Sequence, residues 1–280
     1  MTVAESYRYC ELIARRRAKN FYYSFVLLSA EQRRAMCAVY AYMRYCDDLS
    51  DDESNADRAG SIAKWRADLQ QALGGGGLPR HPLWPAFRDT VERFNIPHAY
   101  FYDMIEGVRS DLDPRRMRTF AELYDYCYKV ASVVGLTIIH IFGFESAGAL
   151  VLAEKCGIAF QLTNILRDVK EDIGLNRVYL PEEDLRRFRV PESDLAASAP
   201  SAAFVELMRF EAARARGYYN ESRPLLGMVH KKSRSSLWAL IEIYSRLLDR
   251  IEAEGYDVLS QRVRLSTVEK AGIVLRGFLR

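Results

Sequence analysis

Residues 159–181 read AFQLTNILRDVKEDIGLNRVYLP. Positions three and four apart on a helix share a face, so Asn164, Asp168 and Asp172 make a polar ladder, with Arg167 and Glu171 on the stripe beside it. The turns around its start are apolar: Ile158, Phe160, Leu162 and Ile165. A second stretch, AVYAYMRYCDDLSDDES (38–54), is built the same way, with Met36, Val39, Tyr40 and Met43 running into four aspartates. There Asp47 pairs with Asp51, and Asp48 with Asp52, at i,i+4 spacing. Like charges so placed cost a helix about 0.2–0.5 kcal/mol per pair, and burial raises the cost because an ionised carboxylate out of water needs a partner or a metal. Helices this apolar belong to a core. Their carboxylates then face either solvent at the end of a bundle or a polar cavity inside it.

An all-oxygen ligand set suits Mg²⁺, which takes one or two carboxylates and completes its shell with water and phosphate oxygens. It speaks against zinc. It also speaks against a di-iron bundle, which wants Glu-x-x-His, because none of His81, His98, His140 and His230 has Glu three residues before it. A solvated helix end with local salt bridges remains the plain alternative for each cluster alone. Two apolar helices that both end in i,i+4 aspartates point together to metal–diphosphate chemistry.

The remainder of the chain carries the same helical period. Helices are predicted near 4–18, 30–53, 55–73, 82–94, 97–111, 119–143, 146–173, 201–226, 234–254 and 265–278, and alternating strand patterns are nearly absent. Ser29 with Gln32, and Thr119 with Glu122, have capping-box spacing, and Pro97 and Pro181 suit first turns. The breaks at 74–77 (GGGG), 79–85, 143–146 and 190–203 are short enough to be loops. The expectation is one all-α domain over 1–280. Gly135 and Gly157 fall inside predicted helices at a cost of roughly 1 kcal/mol against alanine, which implies a bend, room for a ligand or close helix packing.

A net charge of +3 gives no reason to expect nucleic acid. The five cysteines lack CxxC spacing and sit in apolar stretches, which favours buried thiols and a cytoplasmic protein. The N-terminal stretch is charged throughout, without a signal-peptide core. The nearly apolar run at 130–144 is shorter than the roughly 20 residues of a spanning helix. The stretch 261–280 is basic and amphipathic, and two readings of it stand: a peripheral contact with the inner, anionic membrane face, or a solvated helix packed on the bundle.

From about Lys19 to Ser266 the chain resembles the squalene/phytoene synthases, on three motifs in order: YAYMRYCDDLSDD (40–52), YCYKVASVVG (126–135) and QLTNILRDVKEDIGLNRVYLP (161–181). The resemblance implies the all-helical isoprenoid synthase fold, with facing aspartate clusters in a central cavity. It implies Mg²⁺ held by Asp47, Asp51, Asn164, Asp168 and Asp172, with Arg44, Arg167, Arg177 and Arg262 on the diphosphates. By the same resemblance Gln161, Tyr40, Tyr126, Tyr179 and Tyr244 stand near the substrate. Phe21, Tyr22, Phe25, Tyr40, Tyr126 and Phe160 are candidates for an aromatic wall, for which core packing is the rival role. Where relatives place small polar residues before the first Phe, this chain reads RAKNF (17–21). The implied reaction is head-to-head condensation of two farnesyl diphosphates to presqualene diphosphate, and on to squalene if NADPH takes part. The alternatives are a phytoene or dehydrosqualene synthase and a non-catalytic scaffold. Implied partners are prenyl diphosphates and downstream isoprenoid enzymes.

Overall fold

The computed structural model of the chain describes residues 1–18, 21–52, 54–113 and 115–279, with the side chains of Phe21 and Asp51 outside the description. Two expected site residues, Phe21 and Asp51, therefore cannot be placed by side chain, and Lys19 and Asn20 of the divergent RAKNF stretch also lie outside it.

The elements run α1 (Val3–Arg17), α2 (Phe21–Phe25), α3 (Ala30–Asp51), α4 (Arg58–Leu73), α5 (Trp84–Arg93), α6 (Ala99–Arg109), β1 (Arg115–Arg116), α7 (Phe120–Cys127), a π-helical turn (Tyr128–Ser132), α8 (Val133–Phe142) and α9 (Gly148–Gly174). There follow β2 (Arg177–Val178), α10 (Glu182–Arg187), a 3₁₀ turn (Glu192–Ala196), α11 (Ala202–Ser222), α12 (Leu225–Met228), α13 (Lys231–Ala253) and α14 (Thr267–Phe278). The all-α expectation holds. The strands form a two-residue parallel bridge, Arg115 opposite Arg177 and Arg116 opposite Val178.

Helix α9 is the axis. It packs against α8, α11, α13 and the π turn, and its buried residues (Cys156, Ile158, Phe160, Leu162, Ile165, Leu166) cover most of its circumference. That is why its sequence reads as apolar without a clean polar face. Helix α3 is enclosed by α1, α4, α5, α6 and α8. Tyr42 of α3 is fully buried, stacks on Phe87 (centroids 4.5 Å apart) and donates its hydroxyl to the Phe101 carbonyl (3.2 Å). All five cysteines are buried free thiols.

Three local expectations need correction. Ser29 caps α3 by accepting from Gln32 N (3.3 Å), but Gln32 Oε1 accepts from the Ser29 hydroxyl (3.1 Å) and not from its backbone N–H, so the box is not closed. The Gln32 amide is buried and donates to the Ile141 carbonyl (3.0 Å) and Ser233 Oγ (2.9 Å), tying α3 to the end of α8 and the start of α13. Thr119 likewise caps α7, while the Glu122 carboxylate accepts from Arg118 N (2.8 Å) rather than from the cap residue. The complete boxes are Thr2/Glu5 and Ser266/Glu269. Pro97 precedes the cap residue of α6 and Pro181 is itself the cap of α10, so neither is in a first turn. Finally, the apolar run at 130–144 does not stand alone: Phe120–Phe142 is 23 residues long, and it and Gly148–Gly174 are each long and apolar enough to cross a membrane by length and composition. More than half of each apolar window is buried in the bundle, where the two helices pack on each other.

Both predicted helix glycines are close-packing positions. A Cβ on Gly157 would lie 2.6 Å from Ser132 Cα, and one on Gly135 3.0 Å from the Ala153 carbonyl oxygen. Gly107 of α6 meets the same turn from the other side, its Cβ position 2.8 Å from Val130 Cγ1. The π turn is thus gripped between α6 and α9 by backbones that have no side chain at the contact.

Candidate active site

Helices α3 and α9 face each other across two adjoining cavities. The first, of about 230 Å³, is apolar and is lined by Phe25, Met36, Val39, Ile138, Leu237 and Leu240, with Gly135 and Gly157 in its wall. The second, of about 250 Å³, is polar and is lined by Asp47, Asp111, Asp168, Asp172, Arg177, Tyr126 and Tyr179. Asp47, Gln161 and Asn164 border both, so the polar basin opens directly into the apolar chamber. Tyr40, Arg44 and Tyr244 stand in the chamber wall together with Asp47.

The neighbouring aspartates of the first cluster part ways. Asp47 faces the cavities. Asp48, one residue on and therefore about 100° round the helix, accepts from Arg17 (2.6 Å) and from Arg44. Asp52 ends α3 and accepts from Ser54 N (3.0 Å). Arg44 keeps its Nε buried and, among the described residues, without a hydrogen-bond partner. An orphaned buried guanidinium nitrogen beside a cavity is the donor an anionic ligand would satisfy.

The ladder of the second cluster is intact, with Asn164, Asp168 and Asp172 all in the basin wall. Asp168 is engaged by Arg167 and by Arg262 (2.7 Å), and Arg262 also reaches Glu171 (3.4 Å). Among the described residues no cation forms such an ion pair with Asp172. Burial, and next the Asp168 charge, push its carboxyl up to about 7, against the opposing pull of Arg177. Arg177 donates to the Asp111 carbonyl (3.0 Å), while Arg167 and Arg262 act on the ladder from outside the basin wall.

Asp111 was not singled out from the sequence. Its carboxylate accepts from Tyr126 Oη (3.0 Å) and Tyr179 Oη (3.1 Å), whose hydroxyls are 3.1 Å apart and whose rings stack at 4.8 Å. Burial raises its pKa, while Arg177 and the two hydroxyls hold it down. The only sequence signal was the acidic loop SDLDP (110–114), which has no helical period to give it a face. The β1–β2 bridge carries Asp111 and Arg177 to the same wall. Arg116 fastens that bridge by donating to the Asn176 carbonyl (2.8 Å) and to Glu192 (2.8 Å).

The aromatic candidates divide too. Phe25, Tyr40 and Phe160 line the chamber, and Phe160 stacks on Tyr244 at 4.4 Å. Tyr126 belongs to the polar basin. Tyr22 packs edge-on to Phe25 and accepts from Arg15 Nε (2.9 Å), outside both cavities.

The donor set fits Mg²⁺. Asp47, Asp168, Asp172, Asn164 and Gln161 present oxygen atoms around one basin, and among the described residues no three His, Cys, Asp or Glu side chains close on a single point. Cations held by one or two carboxylates with water and substrate oxygens need no closer cage.

Comparison with known proteins agrees with this geometry. The model of the squalene/phytoene synthase family matches residues 14–269. Phytoene synthase 3, chloroplastic, of Zea mays is 35% identical over 283 residues, covering 97% of this chain and 65% of its own length, so the chain spans just under two thirds of that relative. A dehydrosqualene synthase crystal structure superposes with a TM-score of 0.91 at 31% identity, over 99% of this chain and 96% of its own. Squalene synthase from Alicyclobacillus acidocaldarius superposes at 0.84 with 26% identity, over 91% of this chain and 95% of its own.

Proposed function

We propose that this chain, which belongs to the squalene/phytoene synthase family of prenyltransferase-type enzymes, joins two farnesyl diphosphates head to head. The observation that carries the reading is the junction of the cavities: a basin of carboxylates, Arg177 and tyrosines opens at Asp47, Gln161 and Asn164 into an apolar chamber with aromatic walls. A diphosphate belongs in the first and a hydrocarbon chain in the second. The likeness to a dehydrosqualene and a squalene synthase supports a farnesyl donor. The likeness to a maize phytoene synthase supports a second reading, geranylgeranyl diphosphate as substrate and phytoene as product.

In the proposed reaction the C1–O bond of one prenyl diphosphate breaks and its electron pair leaves with the diphosphate. The double bond of the second molecule attacks that carbon. A proton is lost as the ring closes, giving one cyclopropylcarbinyl diphosphate and one free diphosphate. Arg44, through its unsatisfied Nε, and Arg177 bind the departing oxyanion. Mg²⁺ bound at the Asp47 and Asn164–Asp168–Asp172 faces would neutralise the diphosphate charge. The chamber excludes water from the allylic cation, and the faces of Phe160 and Tyr244 attract it. The Tyr126–Tyr179–Asp111 network gives the released proton a path along the basin wall.

The test is incubation of the purified chain with Mg²⁺ and either farnesyl or geranylgeranyl diphosphate, with and without NADPH, followed by mass spectrometry. Presqualene diphosphate from the shorter substrate is the expected product, and conversion to squalene on adding NADPH would show that reduction follows. Phytoene from the longer substrate alone would install the second reading. A folded protein that consumes neither substrate would leave the scaffold.

A further inference from the structure

Three oxygen-bearing side chains meet in a closed triangle on the basin wall. Tyr126 Oη lies 3.0 Å from one carboxylate oxygen of Asp111 and 3.1 Å from Tyr179 Oη, while Tyr179 Oη lies 3.1 Å from the other carboxylate oxygen. Each hydroxyl has one proton to give, and an ionised carboxylate has none. Two protons therefore serve three contacts, and one contact is left as two facing lone pairs. A protonated Asp111 supplies the third. The acid then donates to Tyr126, Tyr126 to Tyr179, and Tyr179 back to the second oxygen of Asp111, each bond polarising the next. The ring is complete only when it holds one proton more than the ionised state does.

The charge on Asp111 is not what holds this triangle together. The two tyrosines are buried and their rings stack at 4.8 Å. The Asp111 backbone is fixed separately, its carbonyl by Arg177 (3.0 Å) and its N–H by the Val108 carbonyl (3.1 Å). The Ser110 carbonyl before it accepts from Arg115 (2.7 Å), whose guanidinium lies over the Tyr126 ring at 5.1 Å. Burial raises the carboxyl pKa, Arg177, the two hydroxyls and Arg115 pull it down, and its charge is felt by Asp172 on α9. A group so placed can take a proton and release it without moving the loop.

The reaction proposed above needs such a place. Its three-membered ring consists of C1 of the donor and the two carbons of the attacking double bond, so the ring closes only when C1 gives up a hydrogen. The other carboxylates of the basin, Asp47, Asp168 and Asp172, are those that would hold Mg²⁺, and a carboxylate spent on a metal is a poor base. Asp111 is the basin carboxylate outside that set, and two hydroxyls already connect it to the cavity.

We propose that Asp111 is the positioning residue on which the proton from C1 comes to rest, reached through Tyr126. The C1–H bond breaks and its electron pair closes the ring onto the cationic carbon. The proton goes to Tyr126 Oη as the proton of that hydroxyl passes to Asp111. One cation and one carboxylate become two neutral groups, so charge balances. By drawing the hydroxyl proton toward itself, Asp111 also leaves the lone pairs of Tyr126 Oη for the basin. This inference rests on the prenyl-transfer reading and adds to it the end point of the proton.

Asp111→Asn separates shape from proton uptake. Its amide donates to Tyr126 where the acid would and accepts from Tyr179, so the ring is complete and takes no further proton. With farnesyl diphosphate and Mg²⁺, formation of the cyclopropyl product should fall on the order of 10²-fold or more, at an unchanged melting temperature. It should slow further when C1 carries deuterium, and by more than the parent does, because removal of that hydrogen has become the slow step. Diphosphate release should fall less than product formation, the difference appearing as prenyl alcohol where water captures the cation. Asp113→Asn, at an exposed residue of the same loop, should leave the rate unchanged. An Asp111→Asn enzyme as fast as the parent would overturn the proposal, the released diphosphate then being the base. So would a loss of rate with no isotope effect beyond the parent's, which is what a structural role alone gives. A parent that converts no prenyl diphosphate removes the prenyl-transfer reading and this one with it; a working parent beside an equally fast variant removes this one alone.

Discussion

Asp47 and Asp48 are identical neighbours with opposite work. Asp47 borders both cavities, whereas Asp48 is spent on Arg17 and Arg44. Removing a group that stabilises a leaving diphosphate costs on the order of 10²–10³ in rate. Asp47→Asn should therefore lose at least ~100-fold in diphosphate release with an unchanged melting temperature. Asp48→Asn should lose within about tenfold, since it only loosens Arg44, and an exposed ion pair is worth about 0–1 kcal/mol. Release of diphosphate, followed by a coupled phosphate assay beside a thermal melt, checks both. Equal losses in the two variants would mean that the helix end as a whole, not Asp47, is what the site uses. At this scale the sequence was informative about the ladder and mute about Asp111. Asn164, Asp168 and Asp172 declare themselves because one helix sets their spacing. Asp111 reaches Tyr126 and Tyr179 only through a loop and a two-residue bridge 62 positions long in register (Arg115 to Arg177). The failed half of the Ser29–Gln32 box has the same origin: Gln32 was claimed by Ile141 and Ser233, partners far away in the chain.

Helix existence was legible because period and apolar content repeat over several turns. What the period could not convey is the extra residue at Tyr128–Ser132, where the ladder widens into a π turn between Gly107 and Gly157. Such turns recur at functional sites, and here Val130 and Ala131 of the turn line the chamber. The two glycine contacts make a sharp comparison. Gly157→Ala would push a methyl to 2.6 Å from Ser132 Cα, a backbone atom that cannot yield without moving the π turn. The expected cost is about 1–3 kcal/mol, a fall of roughly 2–5 °C in melting temperature for a chain this long, with activity falling further as the chamber narrows. Gly217, inside α11, has nothing within 4 Å of its Cβ position, so Gly217→Ala should raise stability by up to ~1 kcal/mol. Differential scanning calorimetry of the pair decides it. A Gly157→Ala variant as stable as the parent would show that the turn is not gripped there.

The whole bundle also responds to pH through a cluster remote from the cavities. Asp184 of α10 and Glu211 of α11 are buried and share one cation, Arg214, at 2.8 and 2.7 Å, with the Phe120 and Phe210 rings over the guanidinium at 4.1 and 4.7 Å. Cys127, which feels the Glu211 charge, is a buried thiol whose pKa burial raises, and Arg187 lies over the far side of the cluster on the Phe210 ring (4.6 Å). Two carboxylates and one arginine leave one negative charge too many, and a buried charge without a partner is costly. Burial is the largest influence on Glu211 and pushes it up to about 8, Arg214 pulls it down, and Asp184 pushes it up again. The folded chain therefore holds a proton there that the unfolded chain, with an ordinary glutamate, has released. Stability follows the difference in bound protons, so it is highest at acidic pH near the ordinary glutamate value and falls as pH climbs towards 8. Glu211→Gln keeps the shape and hydrogen-bonding of the neutral acid and cannot ionise. Urea unfolding from pH 5 to pH 9 should then show the parent losing roughly 1–3 kcal/mol relative to the variant, the two curves meeting at the acidic end. If the variant is instead weaker by a constant few kcal/mol across the range, the carboxylate is ionised throughout and Arg214 pairs fully with both acids. In that case α10, and with it the β2 segment that sets Arg177 and Tyr179 in the basin, is pinned to α11 by an ion triad and not by a shared proton.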